Sequence, residues 1–143
     1  MMVLGVDPGK TTGLGLIKVE GKKITLQTIR ESKDVTCSDY LDLLQEADIV
    51  VIENFRVRPL KARQGSFDYD DMVAPRVIGA LIAQASNLKK KHVLQEPAIK
   101  PVGYGWSNQR YVKGKKGQHI PDAVAHAVYY AVRTLKANPV GNV

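Results

Sequence analysis

The segment Ile49-Val50-Val51-Ile52 constrains the fold more than any other. Four β-branched apolar residues in a row are too few for a core helix and are apolar on both faces. They therefore read as a strand covered from both sides, as in a sheet flanked by helices. Ahead of it, Leu41, Leu44 and Ala47 recur at helical spacing, with Ser38 as the expected N-cap, and a helix crossing into a buried strand implies a parallel pair. Met2–Val6 is a second short apolar run, closed by the turn cluster Asp7-Pro8-Gly9-Lys10-Thr11-Thr12. Gly13–Val19 and Lys23–Ile29 then alternate as strands do, with Gly21 turning between them, so the chain opens with three antiparallel strands. Val73, Val77, Ala80, Leu81 and Gln84 predict a helix with Asp70 or Asp71 near its N-cap, Pro75 in its first turn and its end near Asn87. Lys89–Lys91 would complement that helix's dipole, and His92–Gln95 is a fifth strand. Residues 56–71 and 97–121 lack periodicity and read as surface loops. The last helix has Pro121 in its first turn and Ala123, Ala127, Val128, Ala131, Val132 and Leu135 along its apolar side. The order βββαβαβα defines an α/β fold with one mixed five-stranded sheet.

With 143 residues the chain is expected to form one domain, spanning 1–143, large enough for a real core. Charge is unevenly spread: residues 1–55 hold six basic and nine acidic side chains, residues 56–143 fifteen and five. The C-terminal part thus favours an anionic partner, although charge alone points only weakly to nucleic acid. Cys37 is the one cysteine, so no disulfide forms within the chain, which suits a reducing cytoplasm. No signal sequence or apolar run of membrane-spanning length is visible.

Two acids occupy unusual places. Asp7 and Glu53 each follow directly on an apolar strand, where an unpaired carboxylate is costly. Either alone could be a cap or a salt-bridge partner. If the first and fourth strands are neighbours the two converge, and like charges so close need a cation between them. His119 and Asp122, three apart at the start of the last helix, can reach one point as metal ligands at i and i+3 do; Asp122 could also simply favour the helix dipole. His126, one turn on, reads as packing. The string from Gly5 to Thr11 is not a phosphate-binding loop, because three residues rather than four separate its glycines.

Val-Asp-Pro-Gly-x-Thr-x-Gly from Val6, Val-Ile-Glu at Val51–Glu53 and His-x-x-Asp-Ala from His119 follow one another in the order and approximate spacing of a known family. Over Val3–Arg133 the chain resembles the RuvC-type Holliday junction resolvases of the RNase H-like superfamily, in a compact form that suggests a phage-encoded member. The segment Pro97-Ala-Ile-Lys100-Pro-Val-Gly-x-Gly is similar to the family's stretch carrying a lysine that faces DNA. The resemblance implies an RNase H-like fold and a metal-dependent endonuclease with Asp7, Glu53, His119 and Asp122 as ligands. Mg²⁺ is the implied cofactor, two per active site, with Mn²⁺ able to substitute. It further implies that paired symmetric nicks are made by a homodimer, which in this family uses the helix at 73–87, where Gly79, Ala80 and Ala83 permit close approach. The products would carry 5′-phosphate and 3′-hydroxyl ends.

Lys100, and by neighbourhood Arg110, are candidates for neutralising charge on the phosphoryl oxygens. Arg56, Arg58, Lys61, Arg63, Lys113, Lys115 and Lys116 are candidate phosphate contacts, while Phe55, Phe67 and Tyr69 could stack on unpaired bases. The expected partner is a four-way junction or other branched DNA, in the cytoplasm of a bacterial or phage-infected cell, with no membrane and no nucleotide cofactor. Competing readings are a nuclease for other branched DNA or RNA–DNA hybrids and a non-catalytic DNA-binding module on the same fold. An actin-like or sugar-kinase ATPase would require two such domains.

Overall fold

The structure, a computed structural model, describes residues 1–55, 72–108 and 117–140. Its sheet is built from β1 (Met2–Asp7), β2 (Thr12–Glu20), β3 (Lys23–Ser32), β4 (Ile49–Glu53) and β5 (Lys91–Gln95), in the order β3-β2-β1-β4-β5. β1–β2 and β2–β3 are antiparallel, whereas β1–β4 and β4–β5 are parallel. The antiparallel opening and the parallel pairing of the apolar Ile49 block both match the sequence reading. Among the described residues the α-helices are α1 (Leu41–Glu46), α2 (Val73–Asn87), α3 (Lys100–Trp106) and α4 (His119–Arg133).

Strand alternation divides the core in two. Leu4, Val6, Leu14, Leu16, Val50 and Ile52 face α1 and α2, meeting Leu43, Leu44, Val77 and Leu81. Val3, Ile17, Val19, Ile49 and Val51 face the opposite way and meet Val124, Ala127, Val128 and Ala131 of α4. Since side chains two apart share a face, Asp7 at the end of Val3-x-Gly5-x and Glu53 at the end of Ile49-x-Val51-x both project to the α4 side.

That side of the sheet is bare where α4 begins. A Cβ on Gly5 would lie 1.9 Å from the Ala123 carbonyl oxygen, one on Gly13 1.9 Å from that of His119, and one on Gly15 2.6 Å from Val124 Cγ2. From the other flank a Cβ on Gly103 of α3 would lie 2.6 Å from the Ala125 carbonyl oxygen. The first two turns of α4 are therefore wedged backbone-to-backbone between the sheet and α3, which fixes the helix end that carries His119 and Asp122.

Several expectations are corrected. Residues 97–121 are not one loop: a 3₁₀ turn at Pro97–Ile99 leads into α3, whose two prolines, Pro97 and Pro101, sit in opening turns where no amide donor is required. Ser38 does not cap α1. It lies inside a 3₁₀ turn, Ser38–Tyr40, and the capping role falls to Asp34, whose carboxylate accepts from the backbone amides of Thr36 (2.9 Å) and Asp39 (3.1 Å). Lys89–Lys91 follow directly on the C-terminal end of α2, where they were expected. Backbone amides of Leu88, Lys89 and Lys90 close the helix carbonyls, and the Lys90 ammonium donates to the Gln45 carbonyl at 2.9 Å. The expected cap at Asp70 or Asp71 lies outside the described residues.

Candidate metal centre

Val6 pairs with Ile52 across the parallel β1–β4 ladder, so Asp7 and Glu53 leave the sheet at the same end and on the same face. The turn after Asp7 is tied by the buried Thr12, whose hydroxyl lies 3.3 Å from the Gly9 carbonyl. Asp122, in the first turn of α4, completes a group in which one carboxylate oxygen from each of Asp7, Glu53 and Asp122 lies within 4.8 Å of the others. Three acids separated by tens of residues thus meet because two neighbouring strands end where the wedged helix begins.

His119 flanks this group rather than entering it. Its Nδ1 is 3.6 Å from Asp7 Oδ2, and its side chain is 35% exposed at the rim. Lys100, from the start of α3, reaches inward: its ammonium is 3.2 Å from Glu53 Oε1 and 3.4 Å from Asp122 Oδ2. One turn along α3, the Tyr104 hydroxyl donates a short hydrogen bond to Asp122 Oδ1. Beside the acids opens a cleft of about 480 Å³ lined by Asp7, Gly9, Lys10, Gln118, His119 and Asp122 among others. A second cleft, about 440 Å³, lies by the β2–β3 hairpin, at the end of the sheet away from the acids, and is lined by Lys22, Lys23 and Asn138.

The charges do not balance. Burial, and then the adjacent Glu53 carboxylate, push the Asp7 carboxyl from its ordinary 3.8 up to about 9, with Lys100 opposing. Burial works on Glu53 in the same direction, but the His126 and Lys100 contacts and a hydrogen bond with Asp7 outweigh it and bring Glu53 down to about 2. Burial disfavours the Lys100 ammonium, yet Glu53 and Asp122 raise its pKa overall. Among the described residues one ammonium faces three carboxyls, and Asp7 is the one held toward its protonated form. The donor set, all hard carboxylate oxygens with an imidazole at the rim, fits Mg²⁺ or Mn²⁺.

Of the residues read from the sequence as ligands, Asp7, Glu53 and Asp122 converge and His119 stands beside them. Lys100 reaches two of them, Glu53 and Asp122, and Phe55, half-buried, follows Glu53 by two residues. Arg56, Arg58, Lys61, Arg63, Phe67, Tyr69, Arg110, Lys113, Lys115 and Lys116 lie outside the described residues. His126 is corrected. Although fully buried, it does more than pack, because its Nε2 lies 3.2 Å from Glu53 Oε2 and its Nδ1 2.8 Å from Gln95 Oε1. Tyr104 and Gln95 were also missed. A signal existed for two of the three: His119, Asp122 and His126 form one stripe at i, i+3 and i+7, and Tyr104 follows Lys100 at i+4.

A mixed sheet of three antiparallel strands followed by two parallel ones, with helices on both faces and acids at the ends of the first and fourth strands, is the RNase H-like fold, and the chain has it. Its neighbours among solved structures are RuvC Holliday junction resolvases. Thermus thermophilus RuvC in complex with a Holliday junction substrate matches with a TM-score of 0.69 at 18% identity, over 98% of this chain and 100% of that one. Thermus thermophilus RuvC alone gives 0.67 at 22% identity with the same coverage. The yeast mitochondrial Holliday junction resolvase Ydc2 gives 0.53 at 15% identity, over 88% of this chain and 75% of that one. No protein-family model and no curated protein matches the sequence.

Proposed function

We propose that the chain is a metal-dependent endonuclease that resolves four-way DNA junctions by paired symmetric nicks, leaving 5′-phosphate and 3′-hydroxyl ends. The observation that carries this reading is the convergence of Asp7, Glu53 and Asp122, drawn from β1, β4 and α4, with one internal cation among them. The same fold in two RuvC structures, one of them holding a junction, supports the choice of substrate.

Asp7, Glu53 and Asp122 would hold divalent cations, with His119 at the open side. Bound there, such ions supply Lewis-acid activation of water and stabilise the departing oxygen. The chain's own residues do the rest. Tyr104 fixes one oxygen of Asp122, and the glycine-bedded start of α4 holds that aspartate against the strand ends. Asp7, which shares a proton with Glu53, would have to be ionised to serve as a ligand. Lys100, whose ammonium reaches Glu53 and Asp122 at the edge of the acids, would be the group to face the phosphoryl oxygens of a scissile phosphate. Phe55, beside Glu53, is the described aromatic placed to meet a base, and the basic segments after it would grip backbone phosphates. Two opposed cuts imply two copies of the site related by a two-fold axis, hence a homodimer.

The test is cleavage of a synthetic four-way junction beside a linear duplex of the same sequence, in Mg²⁺ or Mn²⁺, by wild type and Asp7→Asn. The expected result is paired nicks across the junction from wild type, and binding without cutting from the variant. Equal cutting of linear duplex would reject junction resolution and leave a broader RNase H-like nuclease; no cutting by wild type in either metal would reject the enzyme.

A further inference from the structure

His126 is fully buried on α4, and its ring carries two polar nitrogens into the interior. Burying such groups is costly unless each finds a partner. Nδ1 finds Gln95 Oε1 at 2.8 Å, and Gln95 is itself the register partner of Glu53 across the β4–β5 ladder. Nε2 lies at ion-pair distance from Glu53 Oε2, 3.2 Å, but off the line of a hydrogen bond, and neither atom has a hydrogen-bond partner among the described residues, so each is left to the other. Glu53 is thereby divided. Oε2 is turned inward to the imidazole, and Oε1 is turned outward, 3.2 Å from the Lys100 ammonium that also reaches Asp122.

We propose that His126, held in place by Gln95, is a positioning residue that pins Oε2 of Glu53 so that this carboxylate offers a cation one oxygen rather than two. The inference rests on the metal-dependent reading above and deepens it. A glutamate on three free torsions can swing to chelate through both oxygens. One oxygen retained by a buried imidazole, itself anchored to the neighbouring strand, prevents that swing. The consequence is selectivity. Mg²⁺ and Mn²⁺ take compact coordination with few oxygens from each carboxylate, whereas the larger Ca²⁺ readily accepts both oxygens of one. Pinning Glu53 therefore favours the small ions over Ca²⁺.

Mn²⁺ and Ca²⁺ affinities, each ion titrated alone into the full-length protein by calorimetry, test this with wild type, His126→Leu, His126→Gln and Gln95→Leu. Loss of an outer partner of a ligating group weakens metal binding by about 10–100-fold, and His126→Leu is expected to do so for Mn²⁺ while changing Ca²⁺ by no more than about threefold. Gln95→Leu, a change at the partly exposed sheet edge that leaves the core intact, should move the Mn²⁺/Ca²⁺ ratio the same way by a smaller factor. His126→Gln, which keeps an N–H for Glu53, should recover most of the ratio. A ratio unchanged in both His126→Leu and Gln95→Leu overturns the inference; should His126→Leu not fold, Gln95→Leu alone decides. If wild type binds neither ion and leaves junctions uncut, it is the metal-dependent reading that fails.

Discussion

Asp7→Asn tests the electrostatics of the site without any substrate. The Asp7 carboxyl, ordinarily titrating at 3.8, is pushed up to about 9 in the folded protein by burial and by Glu53. The folded form therefore keeps a proton that the unfolded chain has lost. This contribution to stability is complete below about pH 4 and drains away as pH rises toward 9. One retained proton corresponds to about 1.4 kcal/mol per pH unit, so wild type should lose roughly 3 kcal/mol between pH 5.5 and pH 8 that Asp7→Asn does not lose. Glu53, brought down to about 2, is ionised in both states throughout that window and adds no slope. Domains of this kind are stable by about 5–15 kcal/mol, so the effect is a large share of the total. Urea unfolding in the presence of a chelator, followed at four or five pH values, reads it directly: the variant should overtake wild type as pH rises. Adding Mn²⁺ should flatten the wild-type slope, since a bound cation takes over from the proton. Parallel curves for the two proteins would show Asp7 to be ionised in the native state, and the crowding of charge argued above would be wrong.

Three further substitutions address the scaffold and the internal cation. Gly13→Ala places a methyl 1.9 Å from the His119 carbonyl oxygen, so the start of α4 must retreat by more than an ångström, at a cost of about 1–3 kcal/mol. Because a shift of that size misplaces Asp122, junction cleavage should fall by about 100-fold. Gly79→Ala, with nothing within 4 Å in an exposed turn of α2, should instead stabilise the chain by about 0.4–1 kcal/mol in thermal melts, and a loss of paired nicks in the same variant would mark the expected close approach of two α2 helices. Lys100→Met removes the ammonium that competes for Glu53 and Asp122. Mn²⁺ should bind about tenfold more tightly while cleavage slows, and a loss of both would show that Lys100 organises the acids rather than standing in for their cation.

Strand pairing was legible because period-two patterns leave little choice. Ile49–Ile52 had to be covered on both faces, and a helix before it had to return it parallel to β1. The alternation that buries Val3 and Val51 toward α4 also sends Asp7 and Glu53 there, so the placement of two acids follows from apolar pattern alone. α3 was not legible, since Gly103, Gly105 and Pro101 are poor helix formers. Its stability is tertiary: Gly103 lets it approach the α4 backbone, and Tyr104 is buried with its hydroxyl on Asp122. The Ser38 cap failed for a related reason, as Asp34 outcompetes it by taking two backbone amides at once.

The site was half legible, and the missing half concerns how its charge is borne. Acids at strand ends announce a cluster, but a cluster of three buried carboxyls is not stable by itself. In the folded chain the deficit is met by groups whose distance in sequence hides them. Lys100 comes from a segment that reads as a loop, and Gln95 and His126 lie 31 residues apart. Even so, the compensation is incomplete, because Asp7 must keep its proton. A site optimised for the stability of the empty protein would replace Asp7 with asparagine, or add a second basic residue beside it. An acid that the described cations do not fully compensate, at the edge of a cleft, is compatible with divalent-cation binding, and it leads to the expectation that the metal-free form loses stability as pH rises toward 9.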